Sequence, residues 1–79
     1  ASVFSIIDAG NNVFQIDNPN DINLNVNVFD LSGRVILYYN CKDRSATINL
    51  QSSKPGLYFI SCYDCNETGK VVNKKVLVN

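Results

Sequence analysis

The sequence predicts an all-β fold, a seven-stranded antiparallel Ig-like β-sandwich. Three observations carry this. Apolar and polar residues alternate over short runs, most plainly in Ile22–Phe29, where Ile22, Leu24, Val26 and Val28 share one face and Asn23, Asn25 and Asn27 the other. Clusters of Gly, Pro, Asn, Asp and Ser interrupt these runs at roughly the 8–12-residue spacing of sandwiches and barrels. No stretch combines a helical apolar period with a capped start.

Taken in order, the first strand is Ser2–Ile7, ended by Asp8-Ala9-Gly10-Asn11-Asn12, and the second is Val13–Ile16. Asp17-Asn18-Pro19-Asn20-Asp21 is loop, because Pro19 lacks an N–H and Asn and Asp crowd around it. The third strand, Ile22–Phe29, reads as half-buried, with Phe29 breaking the alternation at its end and placed to shield the sheet edge. Asp30-Leu31-Ser32-Gly33-Arg34 then makes a tight hairpin turn. Gly33 supplies the left-handed residue that closes it, Asp30 accepts from the backbone two residues on, and Asp30 faces Arg34 across the hairpin mouth.

Val35–Tyr39 follows as the fourth strand. It is apolar on both faces, which predicts a central strand or one covered by a loop. After a polar connection, Ala46–Leu50 is the fifth strand, with Ile48 and Leu50 inward. The next loop ends in Pro55-Gly56, a strong turn signal. Leu57–Tyr63 is the most apolar strand, with Tyr58, Ile60 and Cys62 on one face. Asn66-Glu67-Thr68-Gly69 turns the chain, and Lys70–Val78 returns antiparallel with Val72, Val76 and Val78 on one side and Lys75 and Leu77 on the other.

At 79 residues this is one domain with a thin core; a chain so short buries roughly 60–65% of its unfolded surface. Seven basic and seven acidic residues cancel, and no basic stripe or long apolar run points to nucleic acid or a membrane span. The chain opens on Ala1-Ser2-Val3-Phe4, already strand-like and without the regions of a signal peptide. It reads as a piece cut from a longer protein.

The sequence has no His, which removes the usual general base, nucleophile activator and metal ligand. Its carboxylates lie almost entirely at turns, where turn chemistry explains them. Asn18-Pro19-Asn20-Asp21 offers too few, poorly spaced ligands for calcium. No glycine-rich phosphate loop is present, and Asn66-Glu67-Thr68 is only a short match to a glycosylation acceptor. No cofactor and no metal are expected.

Of the three cysteines, Cys62 and Cys65 have the CxxC spacing. They run out of a strand, whereas a redox motif needs a helix N-terminus to lower the thiol pKa. Two residues three apart on a strand have Cα atoms ~10 Å apart, beyond disulfide reach. The readings are Cys62 as a small core residue, Cys41 bonded to Cys62 or Cys65, or a zinc site completed by a second chain. A thiol-redox enzyme using Cys62 and Cys65 is the least economical.

Val28-Phe29-Asp30-Leu31-Ser32-Gly33-Arg34-Val35 resembles a "vyDlsGrvv" segment of the C-terminal sorting domains of the Bacteroidetes type IX secretion system. Lys54-Pro55-Gly56-Leu57-Tyr58-Phe59-Ile60 resembles that family's "lpaGiYlv" segment. Gly69-Lys70 with Lys74-Lys75-Val76-Leu77-Val78 resembles its "Gk…tkKiiv" ending. Three segments in the right order span essentially the whole chain. One stretch departs: the family's Tyr-Pro-Asn-Pro is replaced by Ile7-Asp8-Ala9-Gly10.

The resemblance implies a single sorting domain over residues 1–79, at the C-terminus of a cargo such as a protease or adhesin. It implies no enzyme activity. The implied partners are the outer-membrane translocon and shuttle proteins, and a sortase-like cysteine peptidase that cuts upstream of the domain. The implied route runs through the periplasm to the outer-membrane surface or to secretion. Gly69, Lys74, Lys75, Val76, Leu77 and Val78 are the expected recognition residues. Asp30, Gly33, Arg34, Pro55, Gly56 and Tyr58 are expected to shape the hairpins that present them. A strand-swapped dimer stays open. The alternative is an Ig-like binding or spacer module for carbohydrate or protein at the end of a surface enzyme. That module would need an exposed aromatic platform drawn from Phe29, Tyr38, Tyr39, Phe59 and Tyr63, most of which are expected in the core.

Overall fold

Two antiparallel sheets pack face to face in the computed structural model, which describes residues 4–66 and 70–79. The seven strands are β1 (Ser5–Gly10), β2 (Val13–Asp17), β3 (Leu24–Phe29), β4 (Val35–Cys41), β5 (Ser45–Asn49), β6 (Gly56–Asp64) and β7 (Val71–Val78). One sheet has the order β1-β2-β5 and the other β4-β3-β6-β7. In an immunoglobulin constant domain the fourth strand joins the first, second and fifth; here β4 lies beside β3 in the other sheet.

Period-two patterning sets which side chains go inward. On β3, Leu24, Val26 and Val28 are fully buried, and they pair through the ladder with Asp64, Cys62 and Ile60 of β6. From the smaller sheet, Phe14, Ile16 and Ile48 close the core. Val76 and Val78 bring β7 into it.

Three sequence expectations change. β4 is an edge strand, not a central or covered one, and leaves Val35, Ile36, Tyr38 and Tyr39 exposed. Apolar character on both faces therefore marks an uncovered surface here rather than double burial. The aromatic residues expected in the core also lie outside it: Tyr38, Tyr39, Phe59 and Tyr63 are exposed and Phe29 is half-buried. Finally, β1 runs on through Asp8-Ala9 to Gly10, with a register shift between Asp8 and Gly10. The turn shrinks to Asn11-Asn12, both at positive φ (54° and 63°), the geometry that suits a two-residue hairpin. The Ser2–Val3 part of the expected first strand and the Glu67–Gly69 part of the last turn lie outside the described residues.

The strand registers define two poles. At one lie Ser5, Asp17, Ser45, Leu24, Cys41, Asp64 and Val71, where β1 begins. At the other lie the Asn11-Asn12 turn, the Asp30–Arg34 turn, Leu50, Gly56 and the end of β7. β6 joins the two poles over roughly 26 Å at 3.3 Å per residue.

Asn18 holds the first pole together. It is fully buried; its Nδ2 donates to the carbonyls of Ile22 (2.8 Å) and Asp43 (2.9 Å), and its Oδ1 accepts from Ile22 N (3.1 Å). Asn18 N donates to the Arg44 carbonyl at 2.7 Å. One amide thus ties two loops, and among the described residues every buried side-chain nitrogen and oxygen has a partner.

Candidate functional site

The second pole gathers the segments singled out from the sequence. Asp30 ends β3 and organises its turn by itself. Its Oδ1 accepts from Ser32 N (3.0 Å), Ser32 Oγ (2.6 Å) and Arg34 N (3.0 Å), while its Oδ2 receives Arg34 Nε at 3.3 Å. Asp30 N donates to the Arg34 carbonyl and Gly33 N to the Asp30 carbonyl, each at 3.0 Å. Gly33 sits at φ +86°, as a closing left-handed residue requires. The Ser32 hydroxyl foremost, helped by the backbone donors of Arg34 and Ser32 and the Arg34 charge, holds the Asp30 carboxyl below the usual carboxylate value, against desolvation, which opposes it and is second in size only to the Ser32 bond. The turn is built as its residues predict.

Across from it, Tyr58 is buried at the start of β6 and donates its hydroxyl to the Lys54 carbonyl at 2.7 Å. This bond folds the Lys54-Pro55-Gly56 loop back on the strand that follows it. Gly56, at φ +145°, pairs with Val78 of β7. So Pro55, Gly56 and Tyr58 shape the loop that receives the last strand. Between this loop and the Asp30 turn runs a solvent-open groove of about 500 Å³, lined by Leu31, Arg34, Ile36, Lys54, Pro55 and Leu57 among others.

Among the described residues β7 is the outer strand of its sheet and pairs only with β6. Its lysines diverge. Lys75 faces outward opposite Phe59, whereas Lys74 sits opposite Ile60 on the face that carries Val76 and Val78, and is half-buried. An inward-pointing charge on an edge strand discourages uncontrolled pairing. Neither lysine forms an ion pair among the described residues. Leu77 is exposed opposite Leu57. Gly69 lies outside the described residues.

Sequence reasoning missed Asn12. Its side chain is bonded to the backbone of Asn79, and its carbonyl accepts from Leu50 N at 2.9 Å. Asparagine at a turn looks the same whether its amide faces water or another strand, so only the fold distinguishes this residue.

The three cysteines are free thiols; Cys41 and Cys62 are buried and Cys65 exposed. Cys62 points into the core from the middle of β6. Burial, followed by the neighbouring Cys41 and Cys65, pushes its thiol up to about 12, the opposite of what a redox nucleophile needs. No group of metal-ligating side chains occurs among the described residues.

The Asp30 turn, the Pro55-Gly56 loop and the end of β7, which converge on one pole, all fall within the stretch that a family model matches. The model described as "Secretion system C-terminal sorting domain" covers residues 10–79. The chain belongs to this family. Its members are the C-terminal sorting signals of type IX secretion, so this domain directs an attached cargo through that system to the cell surface or to secretion. The family displaces the alternative of a binding or spacer module. The match begins at Gly10, the last residue of Ile7-Asp8-Ala9-Gly10, the stretch that departs from the family's proline-rich turn. The chain matches no curated protein.

Proposed function

We propose that the type IX machinery reads this sorting domain through β7, by adding a receptor strand to its outer edge. The observation that carries the proposal is the strand order β4-β3-β6-β7, which leaves one side of β7 without a strand partner among the described residues. Main-chain hydrogen bonds along such an edge supply affinity, and the alternating side chains supply specificity. Lys75 and Leu77 offer the outward contacts, while Val76 and Val78 anchor the strand in the core. Lys74 keeps the edge from pairing indiscriminately, and Gly69 is counted among the recognition residues in this reading.

In this reading the domain performs no chemistry. It crosses the periplasm, engages shuttle proteins and the outer-membrane translocon, and is the substrate of a sortase-like cysteine peptidase that cuts upstream of it. Residues 1–79 act as one unit, part of a longer secreted protein.

The test fuses the chain to an exported reporter in a type IX-competent cell. The intact fusion reaches the surface, and deletion of residues 74–79 abolishes delivery. Because that deletion also removes core valines, the double variant Lys75→Glu/Leu77→Glu, confined to exposed side chains, is measured beside it and lowers delivery. Surface delivery unchanged by the deletion overturns the assignment of β7.

A further inference from the structure

We propose that the groove between the Asp30 turn and the Lys54–Leu57 loop is a docking site for an extended peptide of a partner protein, one that carries a carboxylate beside aliphatic side chains. This site is separate from the open edge of β7, and its case does not depend on strand addition there.

The walls are apolar and solvent-facing. Leu31 at the tip of the turn is 68% exposed, Ile36 stands on the edge strand β4, and Pro55 and Leu57 form the opposite side. Exposed apolar side chains gathered along one concavity mark an interaction surface more often than scattered ones do. The volume, about 500 Å³, is enough for a few side chains of a bound segment.

Charge selects the occupant. Two cations, Arg34 and Lys54, border the groove. The one carboxylate in its lining, Asp30, is already held by four hydrogen bonds within its own turn. Of its guanidinium, Arg34 gives Asp30 only Nε, and its side chain is 79% exposed. Lys54 uses its main-chain carbonyl to hold Tyr58, and its side chain forms no ion pair among the described residues. A carboxylate entering between Arg34 and Lys54 therefore meets two exposed donors of opposite sign, beside an apolar wall for its neighbours.

A membrane surface fits less well. Electrostatic attachment to anionic lipid draws on clusters of roughly four to eight basic residues, and this chain has no net charge. A concave site between two loops also admits a side chain more readily than it lies flat on a bilayer. The groove is continuous with β7, because Leu57 in its wall pairs with Leu77 on the same outer face.

The experiment titrates the isotope-labelled full chain with a fluorescent peptide of alternating valine and glutamate. A valine–lysine peptide and anionic lipid vesicles are titrated in parallel. The expected result is binding of the glutamate peptide alone, with amide shifts centred on Leu31, Arg34, Ile36 and Leu57. Lys54→Glu, which leaves the Asp30 turn and the Tyr58 hydroxyl bond intact, weakens binding about fivefold or more. Leu31→Ser weakens it independently of charge. Equal binding of the two peptides, binding to vesicles but not to peptide, or shifts confined to β7 overturns the proposal. So does an unchanged affinity in Lys54→Glu.

Discussion

Asn12 and Asn79 grip each other in both directions: Asn12 Nδ2 donates to the Asn79 carbonyl and Asn79 N donates to Asn12 Oδ1, each at 3.1 Å. The side-chain amide of a turn residue thus substitutes for a strand partner and ties the end of β7 to the other sheet. The positive φ of Asn12 (63°) places the amide there. Replacing Asn12 by Gly keeps that backbone conformation and loses the two bonds, at about 1 kcal/mol because both are exposed. Asn12→Ala loses the bonds and also strains the backbone, for about 2 kcal/mol in total. Urea unfolding of the two variants separates the effects, and amide exchange at Leu77 and Val78 quickens in both.

Asn18 makes a stronger claim on stability. Asn18→Ala strands two carbonyls and one backbone N–H at a buried site, and the expected loss is about 3 kcal/mol. Asn18→Asp retains the acceptor for Ile22 N but cannot donate to the carbonyls of Ile22 and Asp43. It is therefore expected to be destabilising at neutral pH as well. Denaturant midpoints at constant slope check both.

These two asparagines show where sequence reasoning stopped. Twelve asparagines crowd this chain, and residue type alone does not distinguish a water-facing amide from one that bridges loops. β3 was readable because asparagines alternate with Leu24, Val26 and Val28, and burial follows parity. β4 misled because Ile36, Tyr38 and Tyr39 supply the hydrophobicity of a central strand at an edge. Hydrophobicity reports what wants cover, not whether cover exists. The Asp30 turn was readable in its left-handed Gly33, its Asp30–Ser32 backbone bond and its Asp30–Arg34 pairing, since these are local; the added bonds from the Ser32 hydroxyl and Arg34 N to Asp30 were not. The groove was not, because it forms only when residues about twenty apart in sequence meet.

The Asp30 turn carries a pH signature. Its carboxyl titrates below the ordinary value of 3.8 in the folded chain. Stability from the ionised form is therefore complete above the unfolded value and is lost as pH falls through the lower folded one. Asp30→Asn lowers the thermal midpoint at pH 7, and the gap to the parent narrows below about pH 4 and closes in stronger acid. A gap that persists unchanged into acid would assign the effect to packing instead.

Tyr58→Phe removes the hydroxyl that holds the Lys54 carbonyl while leaving the ring in place, at an expected cost of about 1 kcal/mol. The larger consequence is local. The Lys54–Gly56 loop loses its tie, so amide exchange rises at Gly56 and at its partner Val78 more than in β3.

Thiol labelling distinguishes the three cysteines. Cys65 reacts promptly with an aromatic disulfide reagent at pH 8, while Cys41 and Cys62 react only on unfolding. Cys62→Ala costs about 1 kcal/mol, and Cys62→Ser costs more, since a hydroxyl placed there lacks the apolar character of the site. Prompt labelling of Cys62 in the folded chain would contradict its position in the core.

The two poles have a consequence for how such a protein is put together. Polypeptide joined ahead of β1 arrives beside Asp17 and Ser45, whereas the Asp30 turn, the groove and the end of β7 stand at the far tip. With β7 as the proposed label, the label faces away from the parcel: passengers of different bulk and surface can be exchanged without shadowing it, and the proposed cut on the passenger side frees the load with the label still whole.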